Sequence, residues 1–209
     1  MSVREVIVRR GIESVVHFTT CHGFVGMLAS EPQQVLPRAL LESQEILRFL
    51  PCDNAEFRQD IEWLDYVNLS ITNINRYFYK YSVGKHQGAT WLILDFSPEI
   101  LTHPDVLFVT TNNIYPAARR KGGPEGLEAL FVPRFNNGKC DLDRERSGLP
   151  DNVPTCNQAE VLYRGPLSFE FLKKVHVKDE KDKVLVSSQA DTLGALNCEV
   201  VISPERFLV

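Results

Sequence analysis

The chain has 209 residues, of which 44% are hydrophobic and 24% are charged, and its formal net charge is −4. This composition is typical of a globular protein and excludes the disordered and fibrous classes. The length suits a single domain spanning 1–209, since no repeat, linker or shift in composition marks a second one.

The N-terminus and the cysteines indicate the compartment. Met1–Arg10 alternates charged and apolar residues without a continuous apolar core, so we expect no signal peptide. Apolar runs such as Trp91–Leu94 are too short to span a bilayer. The five cysteines form no CxxC pair, and an odd, widely spaced set is typical of reduced structural thiols. We therefore expect a cytoplasmic protein with no membrane segment.

The first half of the chain is predicted to contain both strands and helices. Val15–Thr19 has a strand pattern, and Thr20 is suited to cap a helix that ends at Leu28. Helical spacing of apolar residues predicts a second helix within Leu36–Leu50, and Asp53–Glu56 resembles a capping box that starts an acidic helix. Three strands are expected to follow, over Tyr66–Ile71, Trp91–Phe96 and Val106–Thr111.

The second half is predicted to be rich in strands. After a helical turn over Glu125–Phe131 comes a loop over Asn136–Pro154, a length that is uncommon in compact domains unless the loop is functional or disordered. It leads into a strand over Ala159–Tyr163, which places Glu160 at the start of that strand. Helices come before strands without regular βαβ alternation, so the fold class is expected to be α+β. The remaining predicted elements are strands over Val175–Val177, Lys183–Ser187 and Glu199–Ile202 and a short helix over Asp191–Leu196.

Basic and aromatic residues cluster in two stretches that lack acids. Tyr66–Leu94 contains Arg76 and Lys80 among aromatic residues, and Val106–Pro124 contains three consecutive basic residues. Cations that neutralise phosphates and rings that stack on bases suit a nucleic acid. The alternative is a buried aromatic strand beside a solvated basic loop. The candidates for phosphate contacts are Lys80, Lys85, Arg119, Arg120 and Lys121, and those for base stacking are Tyr77, Tyr79 and Tyr81.

Three short motifs carry a family resemblance through their order and separation. They are His17-Phe18-Thr19, then Tyr66–Ile71 leading to Arg76, then Ala159-Glu160-Val161-Leu162. Together they resemble the DarT family of DNA ADP-ribosyltransferase toxins over nearly the whole chain. The resemblance implies an ADP-ribosyltransferase-like split β-sandwich with N-terminal helices, in which two sheets open as a cleft that holds NAD.

The resemblance also implies roles for these residues, with NAD as co-substrate. His17, Phe18 and Thr19 would form the NAD-binding strand, and the side chains of His17 and Thr19 would bind the adenosine or the nicotinamide-side ribose. Arg76 would lie beside the scissile bond, neutralise pyrophosphate charge and help to activate the acceptor. Glu160 would be the catalytic glutamate, because a fixed carboxylate stabilises the oxocarbenium-like cation that forms when nicotinamide leaves. Which side chain deprotonates the acceptor is left to geometry.

The acceptor is expected to be single-stranded DNA, because a ring nitrogen is inaccessible inside a duplex. Many relatives have an aromatic, proline-bearing run after the Tyr-Val pair and reach the arginine sooner, whereas Asn68–Asn75 stands here. In this the chain resembles the branch of the family whose acceptor is guanine more than the thymine-modifying branch, which implies guanine as the acceptor base. The resemblance further implies an ADP-ribosyl-hydrolase antitoxin as partner. Two alternatives stay open, namely an ADP-ribosyltransferase acting on protein or RNA, and a non-catalytic nucleic-acid-binding module.

Other chemistries lack their motifs. The chain has no HExxH, no paired CxxC and no second ligand cluster beside Cys21-His22, so no metal site is expected. It also has no GxGxxG and no P-loop, which gives no support to a Rossmann dehydrogenase or an NTPase.

Overall fold

A computed structural model of the chain describes residues 1–41, 61–136, 144–193 and 198–208. Within these ranges the fold is a mixed β-sheet with helices on both faces. The helices are α1 (Val3–Arg10), α2 (Cys21–Leu28), α3 (Arg38–Leu41), α4 (Arg76–Lys85), α5 (Gly123–Glu128) and α6 (Glu180–Leu193). The strands are β1 (Val15–Thr20), β2 (Gln34–Val35), β3 (Tyr66–Ile71), β4 (Trp91–Phe96), β5 (Leu107–Val109), β6 (Arg120–Gly122), β7 (Arg134–Phe135), β8 (Arg144–Glu145), β9 (Glu160–Arg164), β10 (Leu167–Ser168), β11 (Leu172–Val177) and β12 (Glu199–Ile202).

The main sheet of the described chain is divided in its middle. Its order is β12-β11-β4-β1-β3-β9-β5-β6, and β11 and β12 pair in parallel while the other neighbours are antiparallel. β1 pairs with β4 along its whole length, but with β3 only at Val15↔Ile71 and Val16↔Ser70. We call this short pairing the β1–β3 seam. Beyond it, from His17 onward, the two halves of the sheet separate, which agrees with the predicted α+β class and split sheet.

Strand β4 shows how the core is organised on both faces. All six of its residues are buried. Leu92, Leu94 and Phe96 belong to the main core, which contains buried residues of α1, α2, α5 and α6, whereas Trp91 and Ile93 belong to a second core under α4. Because successive strand residues point to opposite faces, both faces of the sheet are covered here and β4 loses the usual alternation of polar and apolar residues.

Helices α1 and α4 were not predicted, although their capping signals are present in the sequence. Ser2 and Glu5 form a capping box on α1, which ends at Gly11 in the left-handed conformation with φ of 59°. Asn75 caps α4 by accepting a hydrogen bond from the Phe78 N–H at 3.1 Å. The alternation of charged and apolar residues in the first ten residues therefore belongs to a helix.

The strand predicted over Lys183–Ser187 is wrong, because these residues lie inside α6. Asp179 caps the helix by accepting from the Asp182 N–H at 2.9 Å, and α6 buries Val186 and Ala190, which are four residues apart. Helix α6 connects β11 to its parallel neighbour β12, and parallel strands require such a crossover. The strand propensity of this short β-branched run is thus outweighed by the need for a crossover helix. Residues 191–193 of the predicted short helix form the end of α6.

Most of the other predicted elements are confirmed. Thr20 caps α2 by accepting from the Gly23 N–H, and the strands over residues 66–71, 91–96 and 199–202 have the predicted bounds. Near the predicted helical turn, α5 is followed by a 3₁₀ turn over Ala129–Phe131. The capping box over 53–56 and most of the helix over 36–50 lie outside the described residues. Across the described ranges, no helix is long and apolar enough to cross a membrane.

Candidate active site

The site begins at the open end of the β1–β3 seam. His17 Nδ1 lies 3.0 Å from the backbone oxygen of Asn68 on β3. A carbonyl oxygen only accepts, so Nδ1 carries the proton and Nε2 of the neutral ring is an acceptor. Burial lowers the pKa of His17 despite the opposing hydrogen bond to Asn68, which keeps the ring neutral near pH 7. The neutral imidazole therefore bridges the two strands where the sheet divides.

Asn68 connects His17 to Glu160. While its backbone oxygen accepts from His17, its side-chain Nδ2 donates to Glu160 Oε2 at 3.2 Å. The register of β3 with β9 opposes Asn68 to Leu162, two residues after Glu160. Two of the predicted site residues, which are far apart in sequence, thus share one intermediate residue at the mouth of the split sheet.

The Glu160 carboxylate is held in a buried position. Glu160 is only 7% exposed, and the backbone N–H of Asn113 donates to the same Oε2 atom at 3.0 Å. Asn113 is in turn held by the Arg120 guanidinium, through Nε to its Oδ1 and through a terminal nitrogen to its backbone oxygen. Two donors on one oxygen fix the orientation of the carboxylate, which is the pre-organisation needed to stabilise a developing cation.

The described part of the long loop before Glu160 is hydrogen-bonded to itself and to the rest of the domain. Thr155 is fully buried and donates through Oγ1 to the Val132 oxygen at 2.7 Å. Arg146 donates to the backbone oxygens of Val153, Pro150 and Asp151 at 2.8, 3.0 and 3.0 Å. These bonds hold the loop from residue 146 to the residues just before β9. Residues 137–143 of the predicted loop lie outside the described ranges.

Thr72 connects this loop to the turn that leads to Arg76. Its φ of 63° is unusual for a β-branched residue. Its N–H donates to the Ser14 oxygen at 2.9 Å and its Oγ1 to the Asn152 oxygen at 2.6 Å. Strained backbone of this kind concentrates at functional sites. Arg76 itself is exposed at the first position of α4, and no described contact joins it to His17 or Glu160.

Helix α4 presents an exposed basic and aromatic face. Tyr77 and Tyr81 are 52% and 50% exposed, and Lys80 and Lys85 are exposed beside them. Tyr79 is only 2% exposed and packs on Phe18, Trp91 and Phe207. The interpretation of Tyr79 as a stacking residue is therefore wrong, because its position on the inner side of α4 places it in the second core.

The second basic cluster is divided by strand alternation along β6, the edge strand of the sheet. Arg119 and Lys121 are exposed, and Lys121 pairs with Glu125 in the next helix, whereas Arg120 is half-buried and bonded to Asn113. The structure thus places Arg119 and Lys121 on the surface and Arg120 beside the glutamate. In the part of the chain that the structure describes, no cluster of three or more His, Cys, Asp or Glu side chains is suited to hold a metal ion.

The sequence profile of the family described as DarT, ssDNA thymidine ADP-ribosyltransferase, matches residues 41–208, which is most of the chain. The chain belongs to the DarT family. It is therefore an NAD-dependent ADP-ribosyltransferase that acts on single-stranded DNA, as the motifs predicted. The matched region includes Arg76 and Glu160 and begins after the strand that carries His17. No curated protein matches the chain significantly.

Solved DarT structures share the fold at low sequence identity. Thermosipho africanus DarTG in complex with ADP-ribose aligns with a TM-score of 0.65 and 16% identity, over 93% of this chain but only 51% of its own. Thermus sp. 2.9 DarT in complex with NAD+ gives a TM-score of 0.62 and 15% identity, over 94% and 98% of the two chains. The same Thermus protein in complex with ADP-ribosylated ssDNA gives a TM-score of 0.60 and 14% identity, over 95% and 97%.

Two residues of the site were missed from the sequence, and a third was not distinguished from its basic neighbours. Asn68 lies on the polar side of β3, whose strict burial alternation places it on one face with Tyr66 and Ser70, and that period was readable from the sequence. Asn113 lies in an acid-free loop and has no distinguishing motif. Arg120 was read with its neighbours as a phosphate contact, because a run of basic residues does not show which of them points inward.

Proposed function

We propose that this DarT family member attaches ADP-ribose to guanine in single-stranded DNA, with Glu160 as the catalytic carboxylate. The observation that carries the assignment of Glu160 is the Asn68 bridge, which brings the buried glutamate and His17 together at the open end of the β1–β3 seam. His17, Phe18 and Thr19 are proposed to form the NAD-binding strand. Of these, Phe18 packs on Phe78 and Trp91 and would act by supporting that strand.

The reaction needs a stabilised cation and a placed nucleophile. The bond between C1′ of the ribose and the nicotinamide nitrogen breaks, and nicotinamide leaves with the bonding electrons. A base nitrogen then forms the new bond to C1′ and loses its proton. Glu160 would stabilise the positive charge on the ribose and bind a ribose hydroxyl, while Arg76 is proposed to neutralise the pyrophosphate and to help activate the acceptor. The acceptor Nε2 of His17 suits a hydroxyl of NAD.

The preference for guanine rests on the segment that differs from the pattern of many relatives. That segment, Asn68–Asn75, begins with the residue that bonds Glu160 and includes the strained Thr72. A change in these positions therefore alters the surroundings of the catalytic carboxylate, where the acceptor base must arrive. The description of the matching family names thymidine, so the choice of base requires a direct test.

The DNA strand is proposed to follow the exposed face of α4 and the edge of β6. Arg76, Tyr77, Lys80 and Tyr81 are exposed on α4, and Arg119 and Lys121 on or beside β6. Cations along a track and rings that stack on bases are the usual means of binding a single strand. Thermus sp. 2.9 DarT has been solved with ADP-ribosylated ssDNA, which supports a single strand as the acceptor here.

The experiment that tests this proposal is incubation of the chain with NAD and single-stranded oligonucleotides, followed by mass spectrometry. The panel contains strands with guanine but no thymine, strands with thymine but no guanine, matched RNA and a protein mixture. We expect one added ADP-ribosyl group on the guanine strands alone. Modification confined to thymine strands would contradict the base assignment, and modification of RNA or protein but not DNA would favour the alternative acceptors. The Glu160→Gln variant in the same assay separates enzymatic transfer from background.

An antitoxin partner is proposed as well. This chain covers only 51% of the Thermosipho africanus DarTG chain, which was solved with ADP-ribose. We propose that an ADP-ribosyl hydrolase counteracts this enzyme. Co-expression with such a hydrolase should remove the modification from DNA, and persistence of the modification would contradict the pairing.

A further inference from the structure

We propose that Arg120 is a positioning residue for the catalytic carboxylate and acts through Asn113 rather than through DNA phosphate. This inference rests on the proposed role of Glu160. It separates Arg120 from Arg119 and Lys121, which are adjacent in sequence but exposed at the edge of the sheet.

Arg120 fixes Asn113 at two points. Its Nε donates to the side-chain oxygen Oδ1 of Asn113, and its terminal nitrogen donates to the Asn113 backbone oxygen. Because Nε of arginine only donates, Oδ1 rather than Nδ2 must face it. The two bonds restrain both the side chain and the peptide plane of Asn113.

The restrained backbone in turn holds Glu160. The Asn113 N–H donates to Glu160 Oε2 at 3.0 Å, and Asn113 is only 2% exposed. Since the N–H belongs to the backbone, no substitution of Asn113 other than proline removes it. The direction of this N–H depends on the conformation of the loop that follows β5. Arg120 restrains that loop by bonding both the side chain and the backbone oxygen of Asn113. The position of the Glu160 carboxylate therefore depends on the Arg120 guanidinium.

Arg120 is itself immobilised. Its other terminal nitrogen donates to the Ala118 oxygen at 3.2 Å, and its guanidinium lies 4.9 Å from the centre of the Trp63 ring. Trp63 packs on Tyr66 at the start of β3 with ring centroids 5.4 Å apart. The guanidinium thus has partners at Nε and both terminal nitrogens, so three of its five N–H donors are already used within the protein. A planar fork with fixed donor directions is needed here, which lysine does not provide.

The test compares Arg120→Ala and Arg120→Lys with Arg119→Ala as the matched control. Steady-state transfer to a single-stranded oligonucleotide gives kcat and KM, and binding of the same oligonucleotide over a range of salt concentrations gives the salt slope. We expect Arg120→Ala to lower kcat by about 100-fold, because a small displacement of a catalytic group has effects of this size. KM for DNA and the salt slope should stay as in the parent. Arg120→Lys should fail to rescue kcat, whereas Arg119→Ala should make the salt slope shallower. The exposed Lys181→Ala on α6, outside the proposed DNA track, should keep both kcat and the slope of the parent.

Opposite outcomes overturn the proposal. An unchanged kcat with a shallower salt slope for Arg120→Ala would make Arg120 a phosphate contact, and full rescue by lysine would show that charge alone matters. Thermal unfolding of Arg120→Ala shows whether kcat is lost together with the fold, and for folded variants a double-mutant cycle with Asn113→Ala tests the route. If Arg120 acts through Asn113, the double variant should be no slower than Arg120→Ala, whereas independent losses that multiply would contradict the route.

Failure of this proposal and failure of the proposed function give different results. If Glu160→Gln retains transfer, the catalytic role of Glu160 is wrong whatever Arg120→Ala does. If Glu160→Gln is inactive while Arg120→Ala has the kcat of the parent, the catalytic role stands and only the positioning role of Arg120 is lost.

Discussion

Asn68 shows how one residue serves both the fold and the site. Its backbone takes part in the β3–β9 pairing and accepts from His17, while its side chain donates to Glu160. A buried carboxylate is costly unless it is hydrogen-bonded, and Asn68 and Asn113 both supply donors. The glutamate is therefore pre-organised in the absence of any substrate.

The first prediction concerns Glu160. Glu160→Gln keeps an acceptor oxygen for the Asn68 and Asn113 donors and removes the negative charge, so the fold should persist while the ribosyl cation loses its counter-charge. We expect transfer to fall by about 1000-fold or more, with the melting temperature within a few degrees of the parent. Glu170→Gln, at an exposed position, is the control and should keep full activity. Transfer by Glu160→Gln at the rate of the control would rule out the catalytic role.

The second prediction concerns His17 and pH. Its pKa is lowered from 6.5 by burial, so the unfolded chain binds a proton at higher pH than the folded one. Where the unfolded state binds more protons, stability rises with pH. The free energy of unfolding should therefore fall as pH falls below about 6.5. Asp95 is buried too, and desolvation would raise its pKa, but hydrogen bonds to His176 and Ser14 outweigh this and the pKa is lowered from 3.8, so its effect lies at more acidic pH. Burial raises the pKa of the Cys21 and Cys156 thiols, whose effect therefore lies at alkaline pH.

His17→Asn tests this assignment. The amide nitrogen of asparagine corresponds in position to His17 Nδ1 and is able to donate to the Asn68 oxygen, but the amide does not titrate. Urea unfolding at pH 7.5 and pH 5.5 should show a smaller pH-dependent loss of stability in the variant than in the parent. An equal loss in both proteins would mean that His17 is not the group responsible.

At the level of elements, helix α4 has an exposed side and a buried side with different roles. Tyr77 and Tyr81 are one turn apart on the exposed side, and Tyr79 lies between them on the buried side. This division follows from the 3.6-residue period and explains why three tyrosines in five positions have two different environments. The strained Thr72 and the cap Asn75 set where the helix starts after β3.

The third prediction uses these tyrosines. Tyr77→Ala and Tyr81→Ala should each weaken single-strand binding by about 1 to 3 kcal/mol with little change in stability, because each removes one stacking surface. Tyr79→Ala should instead destabilise the fold by about 3 to 5 kcal/mol, since it leaves a cavity in the second core. Fluorescence anisotropy with a labelled oligonucleotide and thermal unfolding measure the two effects. Unchanged DNA affinity in both exposed variants would remove α4 from the DNA track.

Tyr79→Phe provides a control for the buried position. Its hydroxyl is buried and has no hydrogen-bond partner among the described residues. Removing it should leave stability unchanged or raise it slightly, because a buried polar group without a partner is unfavourable. A large loss of stability would show that the hydroxyl has a partner that the described contacts do not include.

At the scale of the whole molecule, the net charge of −4 does not describe the surface proposed to bind DNA. Exposed cations lie on α4 and along β6, where Glu125 pairs with Lys121, and other acids lie on separate elements, for example on the first turn of α6. Local potential rather than net charge governs the approach of a polyanion. A net negative charge is therefore compatible with the proposed binding of a single strand along α4 and β6.

The fourth prediction is that DNA affinity depends on salt because of these exposed cations. Affinity for a single strand should fall as salt rises, with a log–log slope of about −0.7 for each phosphate contacted. Replacing Arg119 and Lys80 together with Ala should make the slope shallower by about 1.4 if both contact phosphate. The exposed Lys181→Ala on α6 is the control and should leave the slope unchanged. Binding of the parent that does not respond to salt would contradict an electrostatic track.

The sequence by itself determined the local features of this protein. The β-branched and aromatic runs specified β3, β4 and β12, Thr20 specified the start of α2, and the order of short motifs indicated the family and the glutamate. These features depend on neighbours a few residues away, and the physical chemistry of capping and alternation acts at that range. The helix α1 was readable in the same way, since its capping box is complete in the sequence.

Only the tertiary structure decided the rest, because it depends on contacts between distant residues. Lys183–Ser187 became part of a helix because β11 and β12 are parallel and require a crossover. Arg120 turned inward while Arg119 and Lys121 remained exposed, because the pairing of β6 with β5 sets which side each residue takes. Asn68 and Asn113 meet Glu160 only through the pairing of β3 and β5 with β9. A strand register is fixed by the whole sheet, and no local pattern carries it.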